Sequence, residues 1–337
     1  MKPAGRRPTL EKVALRAGVS RATVSRVVNG SNAVTPQVRA AVLRAVRELG
    51  YVPNHAARSL VTQQTNSVAL VFAEAASRVF SDDQFFRSIV RGAIQELEAA
   101  GRQLLLLMAG SPGSHQRIER YVLAGHVEGV LIASVHGADP LPMTLADMGV
   151  PVVCSGRPLG RSTVPFVDCD SEGGSAAAVR YLVATGRKRV ATIAGPQDMV
   201  AGIDRLAGYR RELRRASGQE AIVAVGDFTR ESGAAAMREL LAKAPDLDGL
   251  FVASDLMAHG ALVTLRAAGR RVPDDVAVVG FDDIELAAYT EPPLTTVRQP
   301  IVDQGRELVK QLLRLASGDQ VEPALVLPTS LVLRESA

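Results

Sequence analysis

The chain has 337 residues, of which 47% are apolar and 4% aromatic, with two Cys and no Trp. This length allows a large core and more than one domain; the two cysteines exclude a disulfide-stabilised scaffold, and no apolar run is long enough to cross a membrane. The net charge of +4 is unevenly distributed: residues 1–62 carry eleven Lys/Arg and two Asp/Glu, a net charge of +9, and the rest of the chain carries −5. A basic segment ahead of a mildly acidic body is typical of a nucleic-acid-binding module joined to another domain.

Residues 9–30 predict two short helices joined by a tight turn. Gly18 supplies the backbone freedom that the turn needs, and Ser20 caps the second helix. Apolar residues at spacings of three and four mark the inward face of that helix: Val24, Val27 and Val28. This pattern is a helix-turn-helix that can enter a DNA major groove. An amphipathic helix pair with solvated arginines is the alternative, and the charge asymmetry favours DNA.

Three residues on the outward side of the second helix are the candidates for reading bases: Arg21, Ala22 and Arg26. An arginine can donate two hydrogen bonds to a guanine edge, which gives about 1–3 kcal/mol of discrimination against other bases. Short polar side chains around the motif are expected to contact phosphates, which sets the register of a protein on DNA without specifying sequence. These are Thr9, Ser20, Thr23, Ser25 and Asn29.

A third helix is predicted over residues 36–49, because Thr35-Pro36 is a helix start and Gly50 a helix end. Residues 54–61 can form two further helical turns, which are marginal alone in water and can order on contact with DNA. Leu60, close to the end of that segment, has no evident core of its own. An ordinary linker with one buried leucine is the alternative for this segment.

The rest of the chain alternates short apolar runs with helical stretches, which indicates parallel α/β units whose strands are buried on both faces. About eight such units exceed one ordinary sheet, so we expect two similar doubly wound subdomains with a ligand cleft between them. The predicted strands are 68–72, 104–108, 129–133, 150–154, 190–194, 222–225, 249–253 and 276–280, with a last strand at 324–334. Cys154 and Cys169 lie in or beside predicted strands and are expected to be buried thiols.

No motif in the sequence indicates catalysis, a cofactor or a metal. A phosphate-binding loop, a His-Glu-x-x-His pair, a Gly-x-Ser-x-Gly elbow and paired cysteines are all missing, and the five histidines are scattered. A secreted solute-binding protein would share the two-subdomain layout but would need a signal peptide, which the first residues do not resemble. These observations favour a cytoplasmic DNA-binding regulator over an enzyme or a secreted binding protein.

The head resembles that of the LacI/GalR family of bacterial transcription regulators. The matching residues are 17–30, 34–36, 49–54 and 57–60. The resemblance implies that the three candidates for reading bases occupy the reading positions of the family. It places Ala57 and Leu60 on a hinge helix in the minor groove, with Leu60 wedged into a base step that it kinks. It also implies a homodimer whose two heads bind a palindromic operator in double-stranded DNA, with no membrane partner.

The body resembles the same family in five segments: 193–196, 204–209, 251–255, 271–283 and 291–297. The resemblance implies that Arg205 and Asp282 are the effector-binding pair. It implies aromatic pocket positions at Phe85, Phe86 and Phe228. Ser254 occupies a position where many relatives have an asparagine that binds the effector. The serine keeps the site polar, but its side chain is shorter than that of asparagine. Asp255 is expected to cap the helix that follows it.

These residue types suit a sugar effector. Arg205 can donate two hydrogen bonds to adjacent hydroxyls, Asp282 can accept others, and an aromatic ring such as Phe228 can cover an apolar C–H face. Arg157 and His136 follow predicted strands on the side of the cleft and are further candidates. The alternatives are a structural ion pair for Arg205 and Asp282 and plain core packing for the phenylalanines.

Three divisions of the chain are predicted: a helix-turn-helix domain at 1–52, a hinge helix and linker at 53–65, and an effector-binding and dimerisation domain at 66–337. Within the last domain, the N-subdomain is expected at about 66–167 and 298–323, and the C-subdomain at about 168–297 and 324–337.

Three strings, at residues 80–86, 134–142 and 193–202, are similar to the actinobacterial branch of the family that regulates cellulose and β-glucoside use. We therefore expect a repressor of sugar-utilisation genes that a β-glucoside or cello-oligosaccharide, such as cellobiose, releases from its operator. Corepression stays open at this point, because the sequence does not reveal the sign of the coupling between the sugar and DNA.

Overall fold

The computed structural model describes residues 8–28, 31, 33–51, 65–111, 113–218 and 220–337. The chain divides into two compact units, and the boundary falls between Thr65 and Asn66. The predicted phosphate contact Asn29 and the predicted hinge residues Ala57 and Leu60 lie outside the described residues.

The first unit contains the predicted helix-turn-helix. Its helices are α1 (Leu10–Ala17), α2 (Arg21–Val28) and α3 (Pro36–Leu49). The turn between α1 and α2 is made by Gly18, whose φ of 66° lies in the left-handed region that favours glycine. One valine from each helix is completely buried in a shared core: Val13, Val24 and Val42. Because the apolar face of α2 is buried in this core, its arginines are left on the opposite, exposed side.

The second unit contains two six-stranded sheets. The first sheet is formed by β1 (Ser67–Phe72), β2 (Gln103–Met108), β3 (Gly129–Ala133), β4 (Val152–Ser155), β5 (Phe166–Cys169) and β11 (Ala324–Leu327). Its strand order is β11-β5-β4-β3-β1-β2, and all the pairings are parallel. The helices of this subdomain are α4 (Ala76–Val79), α5 (Gln84–Ala99), α6 (Ser114–Leu123), α7 (Leu141–Asp147) and α12 (Ile301–Ala316).

The second sheet is formed by β6 (Val190–Ala194), β7 (Ile222–Val225), β8 (Gly249–Val252), β9 (Ala277–Asp282), β10 (Thr295–Arg298) and β12 (Ser330–Val332). Its order is β12-β10-β9-β8-β6-β7, with β12 antiparallel to β10 and the other pairings parallel. The helices are α8 (Ser171–Ala184), α9 (Val200–Ser217), α10 (Arg230–Lys243) and α11 (Asp255–Ala267), and a short 3₁₀ helix spans Glu285–Ala288. The predicted α/β architecture with two doubly wound subdomains is therefore confirmed.

The end of the chain differs from the prediction. The expected single strand over 324–334, assigned to the C-subdomain, is two strands that belong to different sheets. Residues 324–327 pair with β5 in the first sheet, and residues 330–332 pair with β10 in the second. Pro328 lies between them and has no backbone N–H to continue a ladder. The segment therefore crosses from one sheet to the other.

The two cysteines are buried and unpaired, as expected for Cys154 and Cys169. Among the described residues, none of the helices has both the length and the apolar character that spanning a bilayer requires.

Candidate effector pocket and DNA-reading helix

A cavity in the second unit lies where the carboxyl ends of strands from both sheets face each other. This is the place where ligands bind in open parallel sheets. Seven of the eight predicted effector residues line it: Phe85, Phe86, Arg157, Arg205, Phe228, Ser254 and Asp282. The eighth, His136, contacts a residue that lines the cavity, Glu74. Tertiary folding thus gathers around one cavity residues that are almost 200 positions apart in the chain.

Arg205, on α9, is the most buried cation of the pocket, with 5% of the residue exposed. Its Nη1 donates a hydrogen bond of 2.6 Å to the carbonyl oxygen of Ala253 and lies 3.2 Å from Oδ1 of Asp282. The guanidinium also covers the ring of Phe281, with 3.9 Å between the guanidinium carbon and the ring centroid. Among the described residues its buried Nε has no hydrogen-bond partner.

Asp282 lies at the last position of β9, in a turn of unusual backbone geometry. Its φ is 117°, and that of the next residue, Asp283, is 57°. The carboxylate accepts a hydrogen bond of 2.6 Å from Nε2 of Gln299. Burial raises the pKa of Asp282, and the attraction of Arg205 only partly offsets this effect. The side chain of Asp283 points away and bridges Arg298 and Arg334, each at 2.6 Å.

The first subdomain supplies carboxylates that the sequence did not single out. Asp83 caps α5 by accepting a hydrogen bond of 3.0 Å from the backbone N–H of Phe85. Asp168 accepts hydrogen bonds from the backbone N–H groups of Arg157 and Cys169. Burial raises the pKa values of both carboxyls. Asp83 could have been found as an acidic cap ahead of a helical stretch, but no local pattern marks Asp168 as a pocket residue.

Ion pairs join the two subdomains around the cavity. His136, in the first subdomain, has Nδ1 2.9 Å from Oδ2 of Asp198 in the second subdomain. Its Nε2 lies 3.1 Å from Oε1 of Glu74, within its own subdomain. Its hydrogen bond with Glu74, followed by that with Asp198, raises the pKa of His136 to about 9. Arg157 forms a further pair of 2.9 Å with Asp204. Charged contacts therefore bridge the two subdomains beside the cavity.

The three predicted aromatic residues have different environments. Phe86 is 2% exposed and packs edge-on against Phe72 at 5.1 Å, so most of its surface belongs to the core. Phe85 packs edge-on against Phe86 and is partly exposed. Phe228 has a φ of 67°, and its ring centroid lies 5.7 Å from the guanidinium carbon of Arg205. Phe228 therefore shares one wall of the cavity with the charged pair.

Ser254, and not Asp255, caps α11. The hydroxyl of Ser254 caps α11 by accepting a hydrogen bond of 3.3 Å from the N–H of Met257, so the prediction that Asp255 is the cap is wrong. Ser254 precedes the helix with an extended backbone, which is the geometry of a cap, whereas Asp255 is the first helical residue. Asp255 is completely buried and bonds to other elements instead.

In the first unit, all three candidates for reading bases are exposed: Arg21, Ala22 and Arg26. Arg21 lies 3.1 Å from Glu11 in an exposed ion pair that competing phosphates or bases can replace. Among the predicted phosphate contacts, Thr9 and Ser20 use their hydroxyls as helix caps, with hydrogen bonds from Lys12 and Thr23. Thr23 and Ser25 are partly exposed on α2.

A helix-turn-helix unit together with an α/β unit of two subdomains around a polar cleft defines a DNA-binding transcription regulator with a periplasmic-binding-protein-like domain. Sequence comparison agrees with this class. Residues 9–54 match the family described as bacterial regulatory proteins, lacI family, and residues 179–337 match the periplasmic binding protein-like domain. The chain belongs to the LacI family of bacterial regulatory proteins.

Two relatives illustrate the extent of the similarity. The HTH-type transcriptional regulator CelR of Thermobifida fusca is 52% identical over 336 residues, which cover 98% of each chain. The HTH-type transcriptional regulator AscG of Escherichia coli (strain K12) is 32% identical and covers 97% of this chain and 98% of its own.

Solved structures match over the same length. A CelR–cellobiose complex is 50% identical, with a TM-score of 0.78 and coverage of 98% of this chain and 100% of that one. The lac repressor dimer bound to operator and the anti-inducer ONPF is 30% identical, with a TM-score of 0.88 and coverage of 98% and 99%.

Proposed function

We propose that this regulator is a cytoplasmic homodimer that represses sugar-utilisation genes and leaves its palindromic operator when it binds a β-glucoside or cello-oligosaccharide such as cellobiose. The observation that carries the proposal is the buried pair of Arg205 and Asp282 beside the ring of Phe228. The chain acts by binding DNA and sugar and catalyses no reaction.

The chemistry of the cavity favours a neutral polyhydroxyl ligand. Hydroxyl groups both donate and accept hydrogen bonds, so they can satisfy guanidinium donors and carboxylate acceptors in the same site. Within the part of the chain that the structure describes, the Nε of Arg205 is a buried donor without a partner, and a ligand oxygen would satisfy it. Four carboxyl groups outnumber the three arginines that line the cavity, so the lining offers an anionic ligand no excess of positive charge. The carboxyl groups are those of Glu74, Asp83, Asp168 and Asp282. The similarity to a regulator solved with cellobiose supports the choice of a disaccharide.

The operator is read by the exposed face of α2. Arg21 and Arg26 bond guanine edges, and Ala22 offers a methyl contact to thymine but no hydrogen bond. The predicted phosphate contacts set the register. Ala57 and Leu60 enter the minor groove, in keeping with the proposed hinge at 53–65 between a head at 1–52 and a body at 66–337.

Sugar binding and DNA binding are coupled through the cleft. A ligand can shift the orientation of the subdomains only by binding one orientation more tightly than another. The ion pairs of His136 with Asp198 and of Arg157 with Asp204 bridge the subdomains, and they are the contacts that such a shift changes. A sugar that favours one orientation therefore alters the spacing of the two hinge segments in a dimer and weakens operator binding.

A selection from random DNA followed by a gel shift tests the proposal. We expect the full chain to select a palindromic site, cellobiose to release it, and glucose 6-phosphate to have no effect because the cavity is rich in carboxylates. Ribose serves as a neutral control of the wrong size. Failure to select any palindrome would overturn the proposed DNA-binding role, and release by glucose 6-phosphate alone would overturn the proposed effector class.

A further inference from the structure

Asp255 is a completely buried carboxyl group directly behind the effector pair. It is the first residue of α11, and the cap of that helix is already supplied by Ser254. Within the described part of the chain, Asp255 takes part in no ion pair. Burying a carboxyl group without a cation is costly, so its hydrogen bonds are the contacts that retain it.

Two hydrogen bonds connect Asp255 to other elements. Oδ2 accepts a bond of 3.0 Å from the backbone N–H of Ile284, in the turn that follows β9. Oδ1 accepts a bond of 2.6 Å from the hydroxyl of Thr296, on β10. Gly280 on β9 leaves room for this side chain because it has no Cβ. A Cβ at that position would collide with Oδ1 of Asp255. One carboxyl group thus links the start of α11 to the turn after β9 and to strand β10.

The turn that Asp255 holds is strained. Asp282 and Asp283 both have positive φ values, 117° and 57°, which side chains other than glycine adopt at a cost. Such a conformation persists only where the surroundings hold it. On its outer side the turn is held by Asp283, which bonds to Arg298 and Arg334. On its buried side the hydrogen bond from the N–H of Ile284 to Asp255 holds it.

We infer that Asp255 is a positioning residue for effector binding: by holding the N–H of Ile284, it keeps the strained turn in the shape that aims the carboxylate of Asp282 at Arg205. The inference rests on the proposed role of the cavity as the effector site. Asp255 itself does not contact the effector, because its side chain is completely buried. Its effect reaches the effector through the backbone of residues 282–284 and the side chain of Asp282.

Three variants of the full chain separate positioning from general stability. Asp255→Ala removes both hydrogen bonds. Asp255→Asn keeps both, because its amide can accept from Ile284 and donate to Thr296. Thr264→Ala is the matched control. It removes a buried hydroxyl of the same helix whose hydrogen bonds, among the described residues, go to the carbonyl oxygens of Gly260 and Ala234. Thermal unfolding, operator affinity and cellobiose affinity are measured for all three.

We expect Asp255→Ala to lower cellobiose affinity about tenfold or more, the effect of losing a hydrogen bond that places a charged group. Asp255→Asn and Thr264→Ala should stay within about twofold of the parent chain, and all three should bind the operator normally. In an Asp282→Asn background the Asp255→Ala change should cost much less, because residues that act as a unit are not additive. Full additivity, or normal cellobiose affinity in Asp255→Ala, would overturn the inference.

A crystal structure of unliganded Asp255→Ala provides a readout that needs no effector. We expect the carboxylate of Asp282 to leave Arg205, and an unchanged pair at 3.2 Å would contradict the inference. If the parent chain does not bind cellobiose, the proposed effector is wrong, while this structure still tests the role of Asp255. If Asp255→Ala does not fold, Thr296→Val takes its place, because it removes one of the two hydrogen bonds of Asp255. We expect Thr296→Val to lower cellobiose affinity as well. Normal cellobiose affinity in Thr296→Val would contradict the inference.

Discussion

Arg205 and Asp282 form a buried ion pair, with 3.2 Å between Nη1 and Oδ1, although one lies on helix α9 and the other at the end of strand β9. Each has a second restraint: Arg205 donates to the carbonyl oxygen of Ala253, and Asp282 accepts from Gln299. A pair held from both sides presents its remaining hydrogen-bonding groups in a constant direction. Such preorganisation lowers the entropy cost of binding a flexible polyol.

The pair provides the most direct test of the pocket. Asp282→Asn keeps the shape of the side chain but removes the charge opposite Arg205. We expect cellobiose affinity to fall about 10- to 100-fold, since hydrogen bonds to charged groups are worth about 1.5–3 kcal/mol. Isothermal titration calorimetry measures this change, and operator affinity should not alter. Asp246→Ala, at an exposed carboxylate that pairs with Arg189, is the control and should bind cellobiose normally.

The position of the Phe228 ring depends on Gly195. A Cβ at Gly195 would come closer to the ring of Phe228 than any ordinary contact allows, so Gly195→Ala must displace the ring. We expect cellobiose affinity to fall about tenfold while operator affinity is kept, because overpacking costs about 1–3 kcal/mol. In a Phe228→Ala background the same glycine substitution should cost little further. An equal loss in both backgrounds would mean that Gly195 acts by another route.

The raised pKa of His136 makes the stability of the effector-binding domain depend on pH. Its pKa is raised from 6.5 to about 9, first by the hydrogen bond with Glu74, so the folded body holds the proton more tightly than the unfolded chain does. The resulting stabilisation is complete below about pH 6.5 and is lost as the pH rises to about 9. We expect His136→Gln to lower Tm at about pH 6 and to have little effect at about pH 9.5. Asp198→Asn should remove part of this pH dependence. An equal change in Tm at both pH values would contradict the assigned contacts.

Arg26 is expected to specify one position of the operator. Arg26→Ala should lose the base preference at a single position of each half-site, by about 1–3 kcal/mol. Thr23→Ala, at a predicted phosphate contact on the same helix, should weaken all sites equally. Binding assays on a panel of operators with single substitutions distinguish the two outcomes. An unchanged preference at every position in Arg26→Ala would refute its role in base reading.

Local patterns were sufficient for the helix-turn-helix and for most strands of the body. The inward valines of α2 follow a helical period, and Gly18 marks a turn that needs a positive φ. Strands β5 and β10 were missed, since both are short and carry polar residues such as Asp168 and Thr295. A period of two or 3.6 cannot be read from four residues of mixed polarity.

The sequence by itself determined the class of the protein: a basic helix-turn-helix ahead of alternating strands and helices, with arginines left on the outer face of the second helix. These features depend on neighbours within one or two helical turns or one strand, which composition and periodicity encode directly. Tertiary structure decided which distant residues meet. It brought His136 against Glu74 and Asp198, each 62 positions away, and placed Asp255 behind the turn of Asp282. Such contacts depend on how strands pair and how helices cross. The local periodicity of a sequence contains no information about either.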